Sequence, residues 1–476
     1  MRENYEIKNL LKGKDVNIEL DYTQCEIIKD ENSKVLVIAG AGSGKTTTLL
    51  AKVIYLIKYL GVKENEILVI AFTNAAVNEI KMRLQKYNFS CGKVLTFHKL
   101  AIEIINSCGK NLNYIVDGKE EFGKSVEKLL NSDKLFKKYV HKIFQNCSNS
   151  QVIDNLYTIF HYIKSNGILF STINNLMMRY LIEKCNNAYR QVMSDNNYCD
   201  YDDLIITSTL ILNRERKQLN YKYILIDEYQ DISRIRYYLI KVLLQNTHAK
   251  LLMVGDDWQS IYGFSGSDIN LFYDEIKESK VYYLTNTYRN SQELLNFSSS
   301  FIQKNSNHLK KELLSKKNLV NPIKYYYYFS FTKKRCLIKM LNNIPNIDNR
   351  MQTIFLLGRF KRDEQFISGI NNIKKIDNHR YMYKKAVLEF YTIHAVKGLS
   401  ADHVVILNMV SGEYGFPSNK KNYFLSKTIT NTNKIHDLEE RRLFYVALTR
   451  TRNYVYLMIP YINHSSYVEE IKRISS

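Results

Sequence analysis

Two stretches of this 476-residue sequence carry the residue types of phosphate chemistry. The first is Ala39-Gly40-Ala41-Gly42-Ser43-Gly44-Lys45-Thr46-Thr47. In such a run, small residues let backbone N–H groups close around the β- and γ-phosphates of a nucleotide. The Lys45 ammonium reaches the same oxygens, and the Thr46 hydroxyl can ligate Mg²⁺. The usual pattern begins with Gly, and here Ala39 holds that place. The second stretch is Tyr223-Ile224-Leu225-Ile226-Asp227-Glu228-Tyr229-Gln230-Asp231, an apolar run that delivers two adjacent carboxylates. Asp227 can hold the metal, directly or through water, while Glu228 polarises the water that attacks the γ-phosphate.

The elements around these residues have to bring them together. Val35-Leu36-Val37-Ile38 is a short β-branched run of the kind that forms a buried strand, and Leu49, Leu50, Val53, Ile54 and Ile57 recur at helical spacing after the glycines. Ile67 to Ala71 reads as a second buried strand running into Phe72-Thr73-Asn74, and Val94-Leu95-Thr96-Phe97-His98 repeats the design. Ligands of open α/β sheets collect just past such strand ends. Lys250 to Gly255 is another strand, followed by Gln259, which can sense the γ-phosphate, and by Tyr262 and Phe264, on which bases can stack. Gln24, about twenty residues before the glycines, can both donate to and accept from an adenine edge. Residues 104–198 change character: Val126, Leu129, Leu130, then Leu135, Tyr139 and Ile143 fall at helical spacing, which predicts a mostly helical insertion in the α/β frame. A second α/β unit is expected from residue 281, where Val281-Tyr282-Tyr283-Leu284 is strand-like. Lys310 to Lys317 reads as a basic surface. In the last helical stretch Glu439 and Arg442 read as a surface pair, and Arg450, at its end, can reach a phosphate across a cleft.

Composition bounds the partners. The formal charge of +21 and a sequence pI of about 9.3 point to a polyanion, nucleic acid before an acidic membrane surface. Seven scattered cysteines without a CxxC pair argue against a zinc or iron–sulfur site and fit a reducing compartment. No apolar run approaches the roughly 18 residues of a membrane helix, so a cytoplasmic protein without a membrane partner is expected.

Taken in order, the motifs AGAGSGKT, AFTNAA, TFHKLA, IDEYQD, VGDDWQSIYGF, NTYRN, TIHAVKGL and RRLFYVALTRTR resemble those of the UvrD/Rep group of superfamily 1 DNA helicases, from about Leu20 to Leu457. The wording GDDWQSIYGFSGSD, LLGRF, KGLSADHV and GEYGFPS is most similar to the helicase IV branch. The resemblance implies an α/β fold of two RecA-like P-loop domains that clamp ATP and Mg²⁺. Residues 1–103 and 199–280 would form the first, 104–198 its helical insertion, and 281–476 the second. It implies that Ala41, Gly42, Ser43, Gly44, Lys45, Thr46 and Thr47 cradle the phosphates, with Thr46 and Asp227 on the metal and Glu228 as general base. Gln259, Arg289 and Arg450 would contact the γ-phosphate, the two arginines from the second domain. Gln24 and Tyr288 would hold the adenine. Phe72, Asn74, His98, Tyr262, Phe264, His394 and Lys397 match positions that line the path of single-stranded DNA.

Three departures from the family pattern bear on function. About 100 residues separate Arg289 from Thr392, too few for the large helical 2B insertion of bigger relatives. Ser400 stands where many relatives have a sugar-binding Glu, which loosens ATP preference. Ala75 and Ser265 replace basic residues, which weakens the grip on the strand. No nuclease domain is expected after the last strand, nor the further N-terminal region of helicase IV. The implied activity is 3′-to-5′ movement on single-stranded DNA with unwinding at duplex junctions. Two other readings remain: a DNA-sensing ATPase subunit beside a nuclease, as in Gabija-type anti-phage defence, and a translocase that strips proteins from DNA. RNA is the less favoured strand, although stacking and phosphate contacts do not themselves tell the sugars apart.

Overall fold

Aliphatic runs with both faces apolar become strands buried on both sides, and the computed structural model shows two sheets built this way. It describes residues 6–12, 18–89, 92–110, 114–145, 147–305, 308–345, 350–418 and 432–475. The first strands are β1 (Lys34–Ala39), β2 (Ile67–Ala71) and β3 (Lys93–Thr96). A two-residue ladder, β4 (Tyr114–Ile115) with β5 (Tyr198–Cys199), closes the base of the helical insertion. Then come β6 (Tyr223–Ile226), β7 (Lys250–Gly255) and β8 (Lys280–Leu284). Six of these form one parallel sheet in the order β3-β2-β6-β7-β1-β8. Along β1, Val35, Val37 and Ala39 pack into one core layer while Leu36 and Ile38 pack into the other, as the two-residue period of a strand requires.

The second sheet contains β9 (Ile323–Tyr328), β10 (Gln352–Gly358), β11 (Lys374–Lys375), β12 (Arg380–Tyr383), β13 (Ala386–Thr392), β14 (His403–Ile406) and β15 (Val455–Pro460). Its order is β11-β12-β13-β10-β14-β15-β9, parallel except for the β11-β12-β13 edge. Helices on both faces of each sheet make this a pair of RecA-like α/β units. The insertion packs helices Gly118–Ser132, Lys134–Ile143, Asn149–Asn166 and Leu176–Asp195 around Phe122, Phe136, Leu156 and Leu181.

Three expectations are corrected. Lys280–Leu284 does not begin a second unit: it pairs in parallel with β1 along five residues and closes the edge of the first sheet. The chain enters the second unit at Gln292–Ile302, whose Leu294 and Phe301 lie in the second core, which Ile261 of the β7–β8 connection also joins. Lys311 is not surface: its ammonium is buried against Asp256 (2.5 Å) and Asp257 (2.7 Å) and lies 4.4 Å from the Trp258 ring centre. Trp258, Leu295, Ile302, Leu313 and Tyr445 close an apolar seam against Ala41, and this burial draws the segment inward. Glu439 and Arg442 are likewise buried, and burial pushes the Glu439 carboxyl up to about 7. Periodicity placed them on a helix, and the first unit covers that face.

Candidate nucleotide cleft and strand path

The glycine run leaves β1 and enters the helix Lys45–Lys58 through two left-handed residues, Gly42 (φ 73°) and Gly44 (φ 85°). Gly44 caps the helix without a side-chain hydrogen bond, so the first helical N–H groups face the cleft as an anion site. A Cβ on Gly42 would stand 2.6 Å from the Arg289 Cβ and 2.8 Å from Thr287 Oγ1, so only glycine fits there. Ala39, by contrast, is still in the buried strand, where a methyl costs nothing.

A cleft of about 640 Å³ opens between the two units. The first unit lines it with Gln24, Gly42 to Thr47, Asp227, Glu228 and Gln259; Tyr288, Arg289, Lys397, Arg450 and Arg452 line the other side. Thr46 Oγ1 donates to Asp227 Oδ2 at 3.1 Å. Burial and the neighbouring Glu228 raise the Asp227 carboxyl to about 6, so a divalent cation at this pair would relieve a costly charge. Two oxygen donors beside a phosphate site fit Mg²⁺, which keeps several waters, and among the described residues no cluster of three His, Cys, Asp or Glu offers an all-protein cage. Glu228 has φ 53°, a left-handed conformation that is strained for a non-glycine residue and turns its carboxylate into the cleft. Burial pushes its pKa up, but Lys45, Lys397 and the hydrogen bond from Gln230 (2.6 Å) outweigh that and hold it below the usual range. Adjacent carboxylates are thus driven apart in acidity.

The arginines crowd one another. Arg450 is fully buried and donates to Gln259 Oε1 at 2.8 Å, while Gln259 donates to Asp256. Arg289 donates to the Thr449 carbonyl at 3.4 Å, and burial together with Arg450 and Arg452 lowers its pKa to about 9. Such a cluster calls for an anion. Gln24 is more occupied than expected: with Asp21 it forms a capping box, its Oε1 accepts from Asp21 N–H, and its Nε2 donates to Thr48. One amide hydrogen remains for a base. Tyr288 is 62% exposed and tethered to the cleft by its N–H to Gly42 O and its hydroxyl to Asp21. Thr47 accepts from Arg83.

The residues expected on the strand path fall into two clusters. Thr73 and Thr96 cap helices Asn74–Lys86 and Phe97–Ser107 directly at strand ends, which sets Phe72, Asn74 and His98 on the sheet edge. Asn74 is exposed; Phe72 lies edge-on to Phe97 (5.4 Å), and His98 packs on Tyr201 (5.0 Å). Across the cleft Phe264, 44% exposed, stands perpendicular to His394 at 5.3 Å, and Tyr262 donates to the His394 carbonyl at 3.1 Å. Burial lowers His98 to about 4 and His394 to about 3, so both are neutral rings at pH 7. Lys397 is the exception. Its side chain is only 6% exposed, and its ammonium is held by Asp231 and the Gln259 carbonyl. It is an interface tie, with no free ammonium for a DNA phosphate. Its partner Asp231 and the linking Gln230, which bonds Glu228 and the Asp256 N–H, were missed as functional residues although both lie in the IDEYQD run. Arg236, half-buried against the Phe72 ring, left no signal in the sequence.

The UvrD/REP helicase N-terminal domain model matches residues 20–280, and the UvrD-like helicase C-terminal domain model matches residues 369–463. This chain belongs to the UvrD/REP helicase family. It is accordingly an enzyme of the ATP-hydrolysing DNA helicase class. It is similar to DNA helicase IV of Escherichia coli, 28% identical over 96% of this chain and 70% of that protein. A probable DNA helicase of Mycoplasma pneumoniae is 27% identical over 92% of this chain and 83% of its own length. ATP-dependent DNA helicase Rep of Buchnera aphidicola (subsp. Acyrthosiphon pisum) is 33% identical over 64% of this chain but only 48% of Rep. Among the described residues no helix is long and apolar enough to cross a membrane.

Proposed function

We propose that this UvrD/REP family enzyme hydrolyses ATP to move 3′-to-5′ along single-stranded DNA and to open duplex at the junction ahead. The observation that carries the reading is the convergence, in one cleft, of the glycine turn, Lys45 and the Asp227–Glu228 pair with Arg289 and Arg450 from the far side. Lys45 and the turn would hold the phosphates, and Thr46 and Asp227 would hold Mg²⁺, which when bound supplies positive charge against the phosphate oxygens. Glu228, kept ionised by its cations, accepts the proton of the attacking water. Gln259 carries Arg450 to the γ-phosphate and is bonded through its own carbonyl to Lys397, so closing of the cleft is transmitted to the Tyr262–Phe264 turn three residues on. Gln24 and Tyr288 hold the base. We assign 1–103 and 199–284 to the first RecA-like domain, 104–198 to its insertion and the remainder to the second, without a full 2B insertion.

The test is steady-state ATP hydrolysis without nucleic acid and with single-stranded DNA, duplex or RNA, followed by unwinding of 3′- and 5′-tailed duplexes. Strong stimulation by single-stranded DNA that Lys45→Ala abolishes, with unwinding of the 3′-tailed substrate, is expected. Phe264→Ala should keep basal hydrolysis and lose much of the stimulation. A folded protein that DNA does not stimulate would replace this reading with that of a partner-dependent subunit. Stimulation without unwinding would leave a translocase that strips proteins.

A further inference from the structure

The sheet edge that carries His394 holds more aromatic rings than the strand path uses. β13, β10, β14, β15 and β9 are neighbours and all run parallel, so their C-terminal ends share that edge. His394 follows β13, Phe360 follows β10, Tyr461 follows β15, and Phe329 and Phe331 follow β9. From β13 to β9 is four strand spacings, about 19 Å at ~4.8 Å each. At the far end the rings stack on one another. Phe331 and Phe329 have centroids 5.8 Å apart and planes 7° apart; Phe329 and Tyr461 are 4.5 Å apart at 26°. None is core: Phe331 is 86% exposed, Tyr461 54% and Phe329 45%. Folding normally hides rings of this size, and a stacked set left in water marks a contact surface.

The charge beside the stack selects the occupant. Lys333, Lys334 and Arg335 follow Phe331 directly and open the helix Lys333–Asn342. Lys334, Arg335 and Lys339 line a shallow depression whose other walls are asparagine, isoleucine and glycine, with no carboxylate. The helix Lys333–Asn342 carries four Lys and Arg and no Asp or Glu, so this flank of the stack is cationic. An apolar peptide would leave the cations unused, and an acidic one would leave the rings unused. A single strand of nucleic acid uses both, stacking bases on the rings and setting phosphates against the cations.

We propose that Phe329, Phe331 and Tyr461, with Lys333, Lys334 and Arg335, form a second stacking platform that extends the path of single-stranded DNA along this edge. The proposal rests on the reading of the chain as a DNA-driven ATPase. About 19 Å corresponds to five or six nucleotides at the stacked spacing of ~3.4 Å, which fixes what to measure. ATP hydrolysis by the full chain is followed with oligodeoxythymidylates of graded length, for wild type, Phe331→Ala and Lys334→Glu. Wild type should gain apparent affinity once the oligonucleotide is about six residues longer than the shortest that stimulates. Phe331→Ala should lose about five- to 150-fold of affinity on the long strands only, the range of one base–aromatic stack. Lys334→Glu should flatten the salt dependence on long strands by ~0.7 in log–log slope for each phosphate released. Both side chains are exposed, so folding is not at issue. A Phe331→Ala enzyme that keeps the full gain with length overturns the platform and leaves the DNA-driven reading intact. A wild type that no length stimulates overturns both.

Discussion

Replacing Lys397 separates two readings of the cleft. Its ammonium bonds to Asp231 and to the Gln259 carbonyl and stands 4.0 Å from Glu228 Oε2. Lys397→Ala leaves Asp231, whose carboxyl burial already pushes up to about 6, without its cation. Breaking one side of a buried pair costs about 3–5 kcal/mol, mostly because the remaining charge is stranded. Asp231→Asn in the same chain should therefore restore much of the stability. Glu228 responds as well. A unit charge at 4.0 Å is worth ~4 kcal/mol at an effective dielectric of about 20. With 24% of the Glu228 side chain exposed, solvent screening reduces this to the order of 1–2 kcal/mol. Removing a cation disfavours the carboxylate, so the Glu228 pKa rises and the acid limb of basal hydrolysis moves to higher pH. Urea unfolding of wild type, both single variants and the double variant gives the coupling energy, and a pH–rate profile without DNA gives the shift. The reasoning fails if Lys397→Ala unfolds at the wild-type urea concentration, keeps its pH profile and loses only affinity for DNA.

Other expectations concern the same residues. Asp227 has a folded pKa raised from 3.8 to about 6, so its ionisation destabilises the fold above that pH, and the penalty fades as pH falls toward 4. Asp227→Asn should thus abolish hydrolysis yet raise the urea midpoint at pH 7, the stability gaining about 3 kcal/mol, with the gain vanishing near pH 4; an unchanged or lower midpoint at pH 7 would contradict the assigned burial penalty. Gly42→Ala puts a methyl 2.6 Å from the Arg289 Cβ at φ 73°, and equilibrium binding of a fluorescent nucleotide should show at least tenfold weakening. Lys311→Ala strands Asp256 and Asp257 in the interior and should cost about 3–5 kcal/mol in urea unfolding, whereas Lys310→Ala should move the midpoint little.

Periodicity and turn chemistry made much of this protein legible. Alternation on two apolar faces marked β1, β2 and β6, and the glycine run marked the tight turn between strand and helix, because those signals are local. The Asp21-x-x-Gln24 capping box is legible in the sequence as well, and it occupies most of the Gln24 amide that a base contact would use. Residue spacing cannot assign an edge strand to one sheet rather than another. Lys280–Leu284 is an ordinary apolar strand, and only its pairing with β1 shows that it closes the first sheet.

Charge was the least legible property. Lys311, Lys397, Glu439 and Arg442 have the composition of solvated surface, and all four are interior because a second unit lies over them. Burial of a charged side chain depends on whether a partner of opposite sign arrives from a distant part of the chain. Asp256 and Asp257 meet Lys311, and Asp231 meets Lys397, across 54 or more positions. The sequence by itself determined which residues could do chemistry and which local elements would carry them. Only the tertiary structure decided which cations line the cleft and which hold the two halves together, because the desolvation and Coulomb energies that settle this are set by distances between segments far apart in the chain.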